Sequence, residues 1–452
     1  MQRLIIKNFG PIKDAEIDVK PFLILIGEQA SGKSTIAKLI YFFKSLANDF
    51  FTSYYASEDT VINIPQMVTF PTRKKFYDFF GSTFHLPDFK VLYYYDSKKS
   101  ITLTLNDSRK LDVFLGGDFF PKEKRNRLAE IKKELNLLKD EIAYVGSIEE
   151  KVVLEQRQFT LLQTMSKIVN EIFCNGHKDS LFILAGRNAT VGYSGFFEGM
   201  LAQNIRKTIE NKGKRAYEHK EQTIDETLML EFLQKVNKIR QQFAKYGDFA
   251  GLIQIERDNR RNVEDLLRAN ELVTKILRGK YSSADSNERI LLEDGQYIYL
   301  KNASSGQQES IRILQDAFMS ILSNNNVLRI IEEPEVHLFP EAQMYMVQLL
   351  AMVANHTAYN QIIITTHSPY VLSALNNLIY AHQVGGKHQD ETCAVIDKSS
   401  WIAPEKVDAY MLSHNVATKI IDPGLKMVQA EYIDGVSEIL NQQFNDLLDI
   451  EQ

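Results

Sequence analysis

The chain has 452 residues, 44% of them hydrophobic and 25% charged, with a net charge of −5. This is the composition of an ordinary folded protein long enough for two or three domains, and the charge excludes a molecule that is basic throughout. Two cysteines, Cys174 and Cys393, exclude a disulfide framework and fit a reducing cytoplasm. Met1 to Pro11 lacks the apolar core of a signal peptide, and no run reaches the roughly 18 apolar residues of a membrane span. The expectation is a cytoplasmic chain with no membrane partner.

Leu4-Ile5-Ile6 and Ile17 to Val19 flank a Gly10-Pro11 turn, a hairpin-like signal. An apolar strand, Phe22 to Ile26, then leads into Gly27-Glu28-Gln29-Ala30-Ser31-Gly32-Lys33-Ser34-Thr35 and a helical run from Ile36 to Leu46. The spacing fits the phosphate-loop pattern G-x-x-x-x-G-K-[ST]. Glycines let consecutive backbone N–H groups turn toward phosphate oxygens. Lys33 can neutralise the terminal phosphates, Ser34 can ligate Mg²⁺, and the helix N-terminus adds a favourable field. Gly27 to Thr35 are therefore candidate nucleotide contacts; the bland alternative is a Gly/Ser-rich turn.

Residues 50–119 are aromatic-rich, with strands expected at Val91 to Tyr95, Ile101 to Leu105 and Lys110 to Phe114. Leu128, Ile131, Leu135, Leu138, Ile142 and Val145 then alternate spacings of three and four. Gly146-Ser147 interrupts them, and further helices are expected from about Glu149 to Phe173 and Thr223 to Phe243. The runs are too short for a long arm and predict a helical hairpin or small bundle. Between them Leu181 to Arg187 reads as a buried strand, with Arg187 at its end as a further candidate phosphate contact or a surface arginine. Residues 262–278 read as a helix, and Ile290 to Leu300 as a hairpin with a type I′ turn at Asp294-Gly295. Strands and helices alternate from Val327 to Leu375, the pattern of an α/β sheet. Residues 379–452 are expected to add one or two strands and an amphipathic helix around Val436 to Leu448.

Four elements in the last third carry chemistry. Ala303-Ser304-Ser305-Gly306-Gln307-Gln308 opens a helix, where a hydroxyl and free N–H groups make an anion site or, more plainly, a cap. The strand Val327 to Ile331 ends in Glu332-Glu333-Pro334-Glu335, so Glu332 can hold Mg²⁺ and Glu333 can orient the attacking water. Val336-His337-Leu338-Phe339-Pro340 follows. A second apolar strand ends in Thr366-His367-Ser368-Pro369, so His367 can contact a γ-phosphate.

In this order, these motifs resemble the ABC-type ATPase superfamily, in the branch holding SMC proteins, DNA-repair ATPases and OLD-like or Septu-type antiphage ATPases. Ala303 to Gln308 resembles the L-S-G-G-Q signature, with Ser304, Ser305, Gly306 and Gln307 as nucleotide contacts. Glu332-Glu333-Pro334 resembles Walker B, with Glu332 where Asp is usual, and His367 resembles the switch histidine. The implied fold is an α/β head, a mixed sheet with a β-rich lobe, carrying an inserted helical hairpin or bundle. Its implied parts are 1–120 with the phosphate loop, 121–245 as insertion, 246–378 with the remaining motifs, and 379–452 as a tail that completes the head or docks a partner. The Q-loop glutamine stays open among Gln66, Gln156 and Gln158.

The resemblance implies ATP and Mg²⁺ as cofactors and a head-to-tail homodimer, or a higher oligomer built on it. The signature of one subunit would cap nucleotide held by the other. It further implies a separate effector, a nuclease or toxin, in antiphage defence. The rivals are an SMC-like DNA-repair or DNA-binding ATPase and, with less support, a transporter subunit. Lys122 to Lys133 and Arg206 to Lys220 are the segments that would meet DNA phosphates; otherwise they are solvated helix faces.

Overall fold

A computed structural model describes residues 2–57, 64–176, 179–192, 224–259, 262–284, 287–429 and 441–447. The chain forms two compact units: residues 1–19 with 35–180, and residues 20–34 with 181–452. The class is α/β, as expected.

The chain opens on β1 (Arg3–Phe9) and β2 (Ile12–Asp18), gives β3 (Phe22–Gly27) to the second unit, and continues with β4 (Lys90–Tyr94), β5 (Ser100–Leu105) and β6 (Leu111–Gly116). In the first unit, β1 lies between β2 and β4, and β4, β5 and β6 continue as an antiparallel meander. Alternating buried positions such as Ile101 and Leu103 give this sheet one core face. Aromatic rings fill that core: Phe76 contacts Phe9, Phe42 and Phe89, and Phe9 contacts Phe89. The helix Ile64–Phe80, which supplies Phe76, was not expected from the sequence. Helices Lys122–Tyr144 and Ile148–Ile172 are joined by three residues and pack on each other. The three-and-four spacing buries Leu128, Ile131, Leu135 and Leu138 on one stripe.

The second unit adds β7 (Asp179–Ile183), β8 (Lys280–Ala284), β9 (Asn287–Leu291), β10 (Tyr297–Tyr299), β11 (Val327–Glu332), β12 (Gln361–Thr366), β13 (Val407–Ser413) and β14 (Val416–Lys419). β11, β12, β3 and β13 run parallel in that spatial order, with β7 beside β11 and β14 antiparallel to β13. β3, β11 and β12 are buried at every position, as a sheet covered on both faces requires. The third predicted helix, Ile224–Tyr246, belongs to this unit, with Phe232, Val236, Ile239 and Phe243 in its core.

One detail differs from expectation. The β9–β10 hairpin has a three-residue loop: Leu292 N bonds Gln296 O, Gly295 N bonds Leu292 O, and Gly295 alone has positive φ. That is a type I turn closed by a left-handed glycine, since I′ needs two positive φ values. The tail supplies two strands, as expected, and β13 lies directly beside the phosphate-loop strand β3. A Cβ at Gly27 would meet the Leu412 carbonyl oxygen at 2.3 Å, so β13 alone requires glycine there. Residues 441–447 are helical, and the rest of the predicted final helix lies outside the described residues.

Candidate functional site

The phosphate loop emerges from β3 and ends in the helix Lys33–Ala56. Glu28, Gln29 and Ala30 are exposed, Ser31 is half-buried, Gly32 and Lys33 are buried, and Ser34 is exposed at the helix start. Thr35 begins the first unit's share of that helix. Ala30 and Gly32 have positive φ, 59° and 103°, which turns the loop sharply before the helix. Lys33 Nζ donates to Gly27 O at 2.8 Å and Glu28 O at 2.7 Å. Burial lowers the Lys33 pKa, while the charges of Glu333, Glu335 and Glu332 act in the opposite direction. The ammonium thus feels the charge of three carboxylates at and just beyond the end of β11.

The β11 end is held in an unusual backbone shape. Glu333 has φ +44°, a cost of about 1–3 kcal/mol for a residue with a side chain. Its N–H donates to Thr365 O at 2.8 Å. Arg187 supplies the rest of the support. Its guanidinium donates to Glu332 O (2.8 Å), Glu333 O (2.9 Å), Glu309 O (2.9 Å) and Leu184 O (3.1 Å). Arg187 is fully buried and lies 3.5 Å from the Glu309 carboxylate. Its burial rules out the surface arginine, and four of its five N–H donors go to backbone carbonyls.

Glu333 Oε1 lies 3.1 Å from His367 Nε2, joining the two residues read as catalytic. Glu335, which sequence reasoning left without a role, accepts from the Thr366 hydroxyl at 2.5 Å and from His367 N at 2.9 Å. The signal available was only a third acid in the Glu-Glu-Pro-Glu run. Thr366 Oγ1 accepts from Ser368 N at 3.0 Å. Ser368 Oγ donates to Gln343 Oε1 at 2.6 Å, and Gln343 Nε2 donates to Leu338 O at 2.9 Å. Proline at the first turn of Pro340–His356 and of Pro369–Gly385 starts both helices immediately after these segments.

Leu338 brings the chain to the signature turn. A Cβ on Gly306 would meet the His337 carbonyl oxygen at 2.5 Å, so the glycine permits this close packing. Ser304 and Gln307 form a reciprocal cap: Ser304 Oγ accepts from Gln307 N, and Gln307 Oε1 accepts from Ser304 N at 3.1 Å. Gln307 Nε2 donates to Leu277 O at 2.8 Å. Ser305 is exposed at the first helical position. Among the described residues no hydrogen bond joins this turn to the phosphate loop.

The donor set fits Mg²⁺–nucleotide. Glu332 Oε1 and Glu335 Oε2 are buried oxygens without a hydrogen-bond partner, as is Ser31 Oγ. No group of three or more His, Cys, Asp or Glu side chains among the described residues could hold a metal unaided. That suits an ion carried largely by phosphate oxygens, the usual habit of Mg²⁺.

A family model described as the AAA ATPase domain matches residues 1–372. The chain belongs to the AAA ATPase domain family. It is an ATPase and binds nucleotide, as its phosphate loop implies. No curated protein matches it. Among solved structures it is similar to an SMC head domain from Thermotoga maritima: 12% identity and TM-score 0.35, over 92% of this chain and 97% of the other. It is also similar to a Pyrococcus furiosus Smc head bound to the C-terminal domain of ScpA, at 11% identity and TM-score 0.36 over 98% and 100% of the two chains. The recombination mediator RecF is a third, at 9% and 0.31 over 92% and 97%. No helix among the described residues is long and apolar enough to cross a membrane. Of the two basic segments, Arg206 to Lys220 lies outside the described residues. In Lys122 to Lys133, Lys124 pairs with Glu171, Arg127 pairs with Glu130, and Lys132 is buried against Tyr54 O.

Proposed function

We propose that this ATPase is of the ABC type and works as a head-to-tail dimer. Nucleotide on Gly27 to Ser34 of one chain would be capped by Ser305 and Gly306 of the other, and closure would regulate a separate effector, a nuclease or toxin, in antiphage defence. The observation that carries the catalytic part is the Glu333–His367 contact at 3.1 Å beside a lysine whose charge interacts with three carboxylates. Lys33 would bind the terminal phosphates, and Ser34 and Glu332 would hold Mg²⁺, which supplies charge neutralisation on the phosphates. Glu333 would orient water and accept its proton, with His367 as the γ-phosphate contact. The bonds through Glu335, Thr366, Ser368, Gln343 and Leu338 lead from His367 toward Gly306, which supports coupling between γ-phosphate and the capping surface. ATP would favour the closed dimer because those contacts exist only there.

The test is Glu333→Gln. The expected result is retained ATP binding, turnover lowered at least about a hundredfold, and a dimer on size-exclusion chromatography that requires ATP. Brisk hydrolysis by this variant would remove Glu333 from the chemistry. A DNA-binding reading rests on the basic segments, and the pairing of Lys124 with Glu171 and of Arg127 with Glu130 reduces the charge that Lys122 to Lys133 offers it.

A further inference from the structure

At the start of β11, the end opposite Glu332, lies a cavity of about 430 Å³. It is lined by Lys235 and Lys238 from the helix Ile224–Tyr246, by Asp316 and Ser320 from the signature helix Ser305–Ser323, and by Arg329 of β11. Arg329, Asp316 and Ser320 are 2%, 1% and 3% exposed. Arg329 Nε bonds Asp316 Oδ2. The remaining atoms are the informative ones. Arg329 Nη1, Asp316 Oδ1 and Ser320 Oγ are all buried with no hydrogen-bond partner. Each such orphan destabilises the fold unless something satisfies it. Lys235 and Lys238 form no ion pair among the described residues, so the lining carries three cations against one carboxylate.

The cavity is separate from the nucleotide site. Ser320 lies about 22 Å along the helix from Ser305, and Arg329 lies about 10 Å along the strand from Glu332. We propose that this cavity is a second ligand site, specific for a phosphate group. Phosphate oxygens would accept from Arg329 Nη1 and the Ser320 hydroxyl, with Lys235 and Lys238 balancing the dianion. Asp316 Oδ1 calls for a donor on the same ligand, either a protonated phosphate oxygen or a hydroxyl of a phosphate monoester. An apolar or cationic ligand would leave the two buried donors unsatisfied.

The test uses full-length protein carrying Lys33→Ala, which silences the phosphate loop, and equilibrium dialysis with labelled inorganic phosphate and with a nucleoside monophosphate. One saturable site per chain is expected. Replacing both lysines (Lys235→Gln with Lys238→Gln) should weaken it at least about tenfold. Ser320→Ala should also weaken it while leaving the thermal midpoint unchanged or raised, because the hydroxyl bonds to nothing else. Comparable affinity for both probes makes the ion itself the ligand; a tenfold preference for the monophosphate, about 1.4 kcal/mol, makes it an ester. Absence of saturable binding by either probe, or binding undiminished by the lysine replacements, would overturn the assignment.

Discussion

Arg187 shows how a single buried side chain can hold the shape of a backbone turn. Four backbone carbonyls converge on its guanidinium, two of them from Glu332 and Glu333. Removing it would leave buried acceptors and the Glu309 carboxylate unpaired. Arg187→Met should therefore lower unfolding free energy by about 3–5 kcal/mol, read by denaturant titration; an unchanged midpoint would contradict this role. Lys44 in the first unit makes a pH prediction. Burial pushes its pKa down from 10.5 to about 7, with Cys174 acting in the opposite direction. Between those values the unfolded chain holds a proton that the native chain has released, so stability should rise from about pH 7 toward pH 10. Below pH 7 the buried charge imposes its full penalty. Lys44→Met should flatten that slope, measured by unfolding at pH 7 and pH 9; an equal slope in both proteins would exclude Lys44 as its source.

At the scale of elements, the contact between the Val336-His337-Leu338 segment and the signature turn matters most. Gly306→Val should force apart the His337 carbonyl and the helix start, which now permit no Cβ. The expected outcome is ATP affinity within a few-fold of wild type and turnover lower by roughly a hundredfold, since small misplacements near reacting groups have that size of effect. Equal loss of binding and turnover would mean that the turn supports the fold instead. The elements themselves were largely legible in the sequence. Heptad spacing identified Lys122–Tyr144, and unbroken apolar runs identified β3, β11 and β12, because those signals are local. The phosphate loop was legible for the same reason. Arg187 was not: its carbonyl partners at Glu309, Glu332 and Glu333 lie 122, 145 and 146 residues away. Glu335 was missed because its partners come from the next strand. The pairing of β13 with β3 was equally invisible, since two parallel strands nearly 400 residues apart share no local pattern. Ser304 and Gln307 had an available reading as a helix cap, and their side chains form one.

On the scale of the whole molecule, the second unit holds residues 27–34 of the phosphate loop, the Glu332 to Glu335 turn, His367 and the start of the helix at Ser305. The proposal divides labour between two copies: each would contribute Lys33 to one site and Ser305 to the other. Mixing two inactive variants tests this directly. Lys33→Ala lacks the phosphate contact, and Ser305→Arg blocks the capping surface. In a head-to-tail dimer, one site of each mixed pair would combine an intact Lys33 from one chain with an intact Ser305 from the other. The account predicts that each variant alone is inactive and that an equimolar mixture recovers about a quarter of the wild-type rate by statistical pairing. A mixture as inactive as its components, with mixed dimers shown to form, would contradict the shared site.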